Sequence, residues 1–280
     1  MNETNILLGT SGWSYKDWEG SFYDKGEKHK LRAYSRVFKT AEIDSTFYRV
    51  PTKSMVMGWL RYSPADFLFS AKLPKTITHD KKLGLKQEVK TDLENYLEIM
   101  RTLQLGGKLA CLLIQLPPKY DYNPQNLEDF FDLLDPLFRY AVEFRNLSWI
   151  REETWEILKK HKIAYVNVDE PLLPPEIHIT TDFTYFRWHG KGKKIWFDYN
   201  YSKSEIDEWI PKIENTKEKV KKIVGYFNNH YHGYAPENCL YLMKQLGLLS
   251  KEQKPYRTSN LGQQSRLFDF TPKTDQKAKQ

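Results

Sequence analysis

The stretch Ala164-Tyr165-Val166-Asn167-Val168-Asp169 is a short apolar run that ends in a carboxylate, and it sets the pattern for the whole chain. Other short apolar runs end in the same way, in a polar or aromatic residue able to do chemistry. In chain order they are Ile6–Thr10 before Trp13 and Tyr15, Ala41–Ile43 before Asp44, Phe67–Ala71 before Lys72, Leu109–Ile114 before Gln115, Ala141–Val142 before Glu143, Phe183–Phe186 before Arg187, and Ile223–Phe227 before Asn228. Parallel strands with functional groups at their carboxyl ends predict an α/β fold of the (β/α)8 type, a TIM-like barrel.

Helical periodicity fills most of the intervals between these runs. The predicted helices are Lys28–Phe38, Lys53–Tyr62, Gln87–Leu105, Pro124–Phe138, Arg151–His161, Lys203–Lys222 and Pro236–Leu246. The interval between Asp169 and Phe183 differs, because Pro171, Pro174 and Pro175 forbid a regular helix there. We therefore predict a single barrel domain over residues 1–249, with an irregular unit between strands six and seven, and a polar basic tail over residues 250–280.

Composition places the 280-residue chain among globular proteins, with 28% charged and 40% hydrophobic residues. No apolar run approaches the roughly 18 residues of a membrane span, and no signal segment precedes the first strand, so we expect a cytoplasmic protein without membrane association. Cys111 and Cys239 fall in a predicted strand and a predicted helix and are expected to be reduced core residues. The formal net charge of +7 weakly favours anionic partners.

Six short motifs stand at the strand ends in a fixed order. They are Gly9–Tyr15, Glu42–Tyr48, Lys72–His79, Gln115–Pro118, Glu143–Asn146, and Phe227–His230 with Gly233–Asn238. With these motifs the chain resembles, over residues 5 to 249, the bacterial and archaeal family catalogued as domain of unknown function 72. The resemblance implies a TIM-like barrel, and it implies neither a reaction nor a set of catalytic residues.

Alternation along each strand decides which side chains share a face, since residues two apart point the same way. Such pairs can face the lumen near the carboxyl end of the barrel, the opening that we call the mouth. We expect the mouth to collect the candidate catalytic residues Glu42, Asp44, Glu143, Asp169, His189 and His230, and the cations Lys72, Arg145 and Arg187. The alternative is that some of these charges close the barrel as a buried ion network.

Further candidates for ligand binding lie on the loops around the mouth. They are the aromatic residues Trp13, Tyr15, Trp18, Phe47, Tyr48, Trp149 and Tyr234, and the polar residues His79, Gln115, Asn228 and Asn229. Aromatic side chains on loops suit stacking on a base or a sugar ring, and the alternative is that they pack the loops together. Barrels often bind phosphate near strands seven and eight, where the loop before Pro236 offers free backbone N–H groups.

We predict a phosphate-containing ligand, a nucleotide or a nucleic acid, bound at the C-terminal face of the barrel. The cations of the mouth, the aromatic residues of its loops and the positive net charge all favour such a ligand. Hydrolysis of a phosphodiester is the reaction that suits such a ligand. In a metal-dependent version, divalent ions would be held by Glu42, Glu143, Asp169, His189 and His230. The sequence does not favour a metal cofactor, because it contains no closely spaced ligand motif.

Three alternatives for the same mouth stay open. A glycoside hydrolase would use two of the carboxylates, although the ends of runs four and seven carry Gln115 and Arg187 instead of acids. A small-molecule isomerase or lyase would use His189 or His230 as acid and base and Lys72 as a cation or amine nucleophile. A non-catalytic protein would hold a nucleic acid at the mouth without cleaving it.

Overall fold

The computed structural model describes residues 5–249, apart from the side chain of Gln87, and contains eight parallel strands in one nearly closed barrel. The strands are β1 Asn5–Thr10, β2 Thr40–Ile43, β3 Leu68–Lys72, β4 Leu109–Gln115, β5 Tyr140–Glu143, β6 Ala164–Asp169, β7 Phe183–Trp188 and β8 Lys222–Phe227. They are hydrogen-bonded in the order β1-β8-β7-β6-β5-β4-β3-β2. This arrangement confirms the predicted fold class. The predicted tail, residues 250–280, lies outside the described residues.

Helices follow the strands and form the outer layer. They are α1 Lys30–Tyr34, α2 Ser45–Tyr48, α3 Lys53–Tyr62, α4 Val89–Leu105, α5 Pro124–Phe131, α6 Glu152–Lys160, α7 Lys203–Asp207, α8 Trp209–Lys217 and α9 Tyr234–Gln245. The single helix predicted over Lys203–Lys222 is wrong, because α7 and α8 are separate. Pro211 has no N–H to donate to the carbonyl of Asp207, so an unbroken helix would lose that hydrogen bond. Residues 170–182 contain turns and an isolated bridge but no helix, as their prolines predicted.

The strands are apolar on both faces, because each face meets a separate hydrophobic layer. Leu113, Val166 and Tyr185 belong to a cluster that fills the lumen. Leu112 and Val142, from the opposite face, belong to the larger cluster between the barrel and its helices. Both cysteines are buried and free, as expected. Within residues 5–249, no helix combines the length and the apolarity needed to cross a bilayer.

A side chain completes the barrel where β1 meets β2, a junction that we call the seam. Tyr34 from α1 accepts a hydrogen bond from the Thr10 backbone N–H at 2.8 Å and donates one to the Thr40 carbonyl at 3.0 Å. Gly9 lies so near this point that a Cβ atom there would stand 2.2 Å from the Thr40 oxygen. The Tyr34 hydroxyl therefore takes the place of a direct backbone hydrogen bond across the seam.

Tyr34→Phe removes this link and leaves the Thr10 N–H and the Thr40 carbonyl without their buried partner. Since each unsatisfied buried group costs about 1–3 kcal/mol, we expect the free energy of unfolding to fall by about 2–4 kcal/mol. Urea denaturation measures the change. Tyr62→Phe is the matched control, because Tyr62 is 44% exposed and its loss of a hydroxyl should change stability by less than about 0.5 kcal/mol. Equal effects of the two substitutions would contradict the role of Tyr34.

Candidate functional site

Arg187 is the centre of an ion network buried at the carboxyl ends of the strands. Its Nη1 donates to Glu143 Oε2 and its Nη2 to Glu42 Oε1, each at 2.6 Å. These three side chains are at most 1% exposed. Although burial opposes its charge, Glu143 and Glu42 raise the pKa of Arg187 above its usual value. The arginine therefore stays charged and holds two carboxylates from strands on different sides of the barrel.

Both glutamates accept further hydrogen bonds, so that each of their four oxygens has a donor. Ser11 Oγ donates to Glu42 Oε1 at 2.6 Å, and the Tyr185 hydroxyl donates to Glu42 Oε2 at 2.5 Å. Arg145 Nε donates to Glu143 Oε1. Burial works against ionisation, but Arg145 and Arg187 hold the pKa of Glu143 well below its usual range. For Glu42, Glu143 and Arg187, the geometry is that of the buried ion network considered as the alternative to catalysis.

Arg145 lies nearer the solvent and connects this network to the mouth. Its Nη2 is 2.9 Å from His189 Nε2, and its guanidinium carbon is 5.8 Å from the centre of the Trp196 ring. His189 is fully buried, and burial together with Arg145 lowers its pKa to about 3. Asn228 Nδ2 contacts its other ring nitrogen, Nδ1, at 2.9 Å. His189 is therefore a neutral hydrogen-bonding group that orients Arg145.

A second polar cluster lies at the ends of β2 and β3. Lys72 Nζ is 3.0 Å from Asp44 Oδ1 and 4.1 Å from the centre of the Phe47 ring. The edge of His79 meets the same ring, with centroids 4.9 Å apart. Burial and the charge of Lys72 lower the pKa of His79 to about 4. This cluster thus presents one ammonium, one carboxylate and a neutral imidazole around an aromatic ring.

Tyr15 and His230 form an aromatic part of the mouth. Their rings are stacked with centroids 4.5 Å apart, and the Tyr15 hydroxyl donates to the Ser11 carbonyl at 2.9 Å. Burial and the nearby charge of Asp44 raise the pKa of Tyr15, so the phenol stays protonated. Phe197 lies 5.8 Å from His230, ring to ring. The segment 190–201, which carries Trp196 and Phe197, therefore lies over the mouth.

The placement of Asp169 at the mouth is wrong. Val166 and Val168 point into the lumen, so Asp169, of opposite parity, points outward to the helices. There its Oδ2 accepts from Trp209 Nε1 at 3.3 Å, and its Oδ1 is 3.1 Å from Lys191 Nζ. Asn167, which shares its face, bonds Thr184 in the same outer layer. Asp169 therefore anchors the loop after β7 instead of lining the site.

Glu170 takes the place expected of Asp169, and the sequence analysis missed it. Its side chain is fully buried, and its Oε2 accepts from the Leu172 N–H at 3.1 Å and lies 3.8 Å from Arg145 Nη1. Among the described residues, its Oε1 has no hydrogen-bond partner. Burial raises the pKa of this carboxyl. Its parity with Val168 indicates this position in the sequence, although Glu170 also begins the proline-rich interval.

The three tryptophans predicted to bind a ligand all pack against other parts of the structure, and two of them are fully buried. Trp18 is buried and donates from Nε1 to the His230 carbonyl at 2.7 Å. Trp149 is buried against Phe144, with stacked rings 4.6 Å apart. Trp13 packs on Phe69 of the outer layer, with ring centroids 5.7 Å apart. For Trp18 and Trp149 the expectation of ligand stacking is wrong, because neither ring reaches solvent.

The remaining candidates are distributed around these groups. Gln115 is half-buried at the end of β4, in register with Glu143 on β5. Asn229 is buried and donates to Asn238 Oδ1 at 2.7 Å, so it holds the loop after β8 to α9. Tyr48 is 76% exposed and Tyr234 is half-buried. Gln115 therefore lies next to the ion network, whereas Asn229 only holds the loop after β8 in place.

The arrangement does not fit the metal-dependent version of the site. Within residues 5–249, no group of three or more His, Cys, Asp or Glu side chains could hold a metal ion. The Arg187 guanidinium stands between Glu42 and Glu143, where a shared divalent ion would have to bind. Asp169, a third supposed ligand, points to the outer layer.

The molecule is thus a (β/α)8 barrel with a sealed ion network below an aromatic, partly charged mouth. Within this class, the chain belongs to the family described as Protein of unknown function DUF72, whose family model matches residues 7–261. The resemblance seen in the six sequence motifs is confirmed.

Relatives of this family cover most of the chain. YunF, a UPF0759 protein of Bacillus subtilis, is 26% identical over 271 residues, which are 87% of this chain and 95% of YunF. The crystal structure of a DUF72 family protein from Thermotoga maritima is 34% identical, with a TM-score of 0.80, and the match covers 87% of this chain and 99% of that one. A family 2 AP endonuclease from Brucella melitensis has a TM-score of 0.53 at 9% identity, over 86% of this chain and 98% of that one. At that identity, the likeness shows the fold alone.

Proposed function

We propose that the mouth binds a phosphate-containing ligand, a nucleotide or a nucleotide unit of a nucleic acid, and that hydrolysis of a phosphodiester is the reaction that follows. The observation that supports this most is the placement of Arg145 beneath Trp196. Its Nε is bonded to Glu143, but its Nη1 is 3.8 Å from Glu170 Oε2, which is too far for a hydrogen bond. One edge of the guanidinium is therefore available to a ligand.

The chemistry of this edge suits a phosphate better than a neutral group. A guanidinium offers planar paired N–H donors, which match phosphate oxygens, and it is always charged. Lys72 supplies a second cation at the mouth, while the rings of Tyr15, Phe47 and Trp196 can stack on a base. Arg145 is only 8% exposed, so its bond to a phosphate would be strengthened by the low local dielectric.

The geometry speaks against the glycoside hydrolase alternative. Such an enzyme needs two carboxyl groups that reach the sugar from opposite sides. Glu42 and Glu143 cannot do so, because both are sealed from solvent and bonded to Arg187. Asp44 and Glu170 remain, and Asp44 is already paired with Lys72.

Binding of adenosine 5′-monophosphate and of adenosine, followed by calorimetry at low and high salt, tests the proposal. We expect the nucleotide to bind more tightly than the nucleoside, with a difference that shrinks at high salt. Arg145→Gln should weaken nucleotide binding by about 10- to 100-fold, the value of a charge-assisted hydrogen bond, and leave adenosine binding unchanged. Lys221→Gln is the matched control, because Lys221 is exposed at the opposite end of the barrel.

Equal affinity for nucleotide and nucleoside, or stabilisation by neutral sugars alone, would contradict phosphate binding. Turnover of a phosphodiester by the wild-type chain separates an enzyme from a non-catalytic binder. Binding without turnover would support the proposed ligand and contradict the proposed hydrolysis. Retained adenosine binding by Arg145→Gln shows that the variant is folded.

A further inference from the structure

Lys72 has the environment of a reactive amine. It ends β3 at the mouth, is 6% exposed, and has its Nζ 3.0 Å from Asp44 Oδ1 and 4.1 Å from the centre of the Phe47 ring. We propose that Lys72 forms an imine with an aldehyde or ketone that enters the mouth, and that Asp44 carries the protons of this step. The inference does not depend on phosphate binding, since imine formation needs the Lys72 amine and a carbonyl group and does not need the Arg145 guanidinium.

The structure fixes where this amine stands. The Lys72 carbonyl accepts two hydrogen bonds, from Thr46 Oγ1 at 2.7 Å and from the Tyr96 hydroxyl at 2.9 Å. Both donors are buried, and they tie the end of β3 to α2 and α4. The backbone of Lys72 is therefore held in place, and its side chain is buried where it meets Asp44. A lysine that only served solubility would extend into solvent instead of being buried beside Asp44.

The surroundings also favour the neutral, nucleophilic form of the amine. Burial lowers the pKa of Lys72, and the charge of Arg187 acts in the same direction, whereas Asp44 and Glu42 oppose them. His79, which shares the Phe47 ring, stays neutral because its pKa is about 4. A larger fraction of Lys72 is thus unprotonated at neutral pH than of a lysine on the surface.

The step balances without any further reactant. The Lys72 ammonium gives a proton to Asp44, and the nitrogen lone pair then bonds to the carbonyl carbon. The carbonyl π pair moves to oxygen, which takes the proton from Asp44 and forms a carbinolamine. Asp44 removes a second proton from nitrogen and returns it to the hydroxyl, which leaves as water while the C=N bond forms. One ammonium and one carbonyl therefore give one iminium ion and one water.

The ligand class follows from what lies around the amine. Phe47 offers its face on one side of Nζ, and the adjacent Tyr48 ring is exposed. An apolar or planar body next to the carbonyl would pack on these rings. Pyridoxal has an aromatic ring and an aldehyde, and its 5′-phosphate adds the group proposed to bind Arg145. The two compounds therefore separate the two proposals.

The test treats the full-length chain with pyridoxal or pyridoxal 5′-phosphate, reduces any imine with borohydride and locates the adducts by peptide mass spectrometry. We expect Lys72 to be labelled at least about tenfold faster than the exposed Lys90 and Lys221, which are internal controls. Lys72→Arg keeps the charge and should abolish this adduct without changing the other two. At a pH high enough to keep the amine neutral, Asp44→Asn should slow labelling of Lys72 at least about tenfold.

Each outcome bears on one proposal. Labelling of Lys72 no faster than of Lys90 and Lys221, by either compound, overturns the imine. Each rate at Lys72 is divided by the rate at Lys90 and Lys221 in the same reaction, because pyridoxal, unlike its 5′-phosphate, closes largely to a hemiacetal that hides the aldehyde. A preference for Lys72 that is no greater with the phosphate form than with pyridoxal supports the imine and counts against phosphate binding at the mouth. A greater preference for Lys72 with the phosphate form than with pyridoxal supports both proposals. An unchanged rate in Asp44→Asn overturns the assignment of Asp44 as proton carrier. The comparison between lysines uses only the wild-type chain, so it does not depend on the folding of a variant.

Discussion

Replacing Arg187 by methionine is expected to lower the free energy of unfolding by about 3–5 kcal/mol. Glu42 and Glu143 would keep their burial and lose the cation that they share. Arg145 still pairs with Glu143, so Glu42 is left with only the neutral donors Ser11 and Tyr185. Urea denaturation at neutral pH measures the change. A lower transition midpoint with an unchanged m-value, the slope of free energy against urea concentration, would show the loss of stability.

The double variant Arg187→Met/Glu42→Gln tests the reason for this loss. Because it removes the charge that Arg187→Met leaves uncompensated, it should be more stable than the single variant. Arg139→Met is the surface control, since its ion pair with Asp182 is long, at 3.7 Å, and exposed, and should change stability by less than about 1 kcal/mol. A double variant less stable than Arg187→Met would refute an electrostatic cause.

The second large effect is a loss of stability in mild acid. His189 has a pKa of about 3 in the folded protein and near 6.5 when unfolded. Between these values the unfolded chain binds more protons, so stability falls as the pH falls. From about pH 6.5 to about pH 4.5 we expect a loss of about 2–3 kcal/mol from His189. The folded pKa of His79, about 4, acts in the same direction.

Denaturation at a series of pH values, for the wild type and for His189→Asn, measures this dependence. Asparagine keeps a polar group beside Arg145 and cannot titrate, so the slope of stability against pH should flatten. The raised pKa of Glu170 works the other way, since its contribution is present below its unfolded pKa and is lost as the pH rises through the folded one. An unchanged slope in His189→Asn would show that other groups cause the acid sensitivity.

Sequence patterns predicted the barrel because a parallel strand covered on both faces must be apolar throughout and must end where it reaches solvent. The same reasoning placed Glu42, Glu143 and Arg187 together correctly, since parity is a property of the backbone. For Asp169 it gave the wrong face, because packing in the lumen decides which residues of β6 point inward. These are Val166 and Val168, so Asp169 points outward. A shift of one residue along β6 changes the predicted carboxylate at the mouth from Asp169 to Glu170, which has the same parity as Val168.

Burial of the aromatic residues could not be predicted in this way. Trp18, Trp149 and Tyr15 all follow strands, and their sequence surroundings do not distinguish a ring that packs from one that faces solvent. The difference depends on partners distant in sequence, such as the His230 carbonyl for Trp18. The pairing of charges has the same origin, because whether Glu42 meets Arg187 or a ligand depends on seven other strands closing correctly.

In such barrels, the amino-terminal face usually serves stability and the carboxyl-terminal face serves the chemistry. At the seam between β1 and β2, residues of the carboxyl-terminal face also close the barrel. At the top of the seam, the Gly12 N–H donates to the Glu42 carbonyl at 2.8 Å, and Ser11 bonds the carboxylate of the same residue. Glu42 therefore both closes the barrel between β1 and β2 and holds Arg187 in the buried ion network beneath the mouth. A variant of Glu42 that loses activity has not by that loss been shown to be catalytic, because the same change loosens the closure on which every other residue of the site depends.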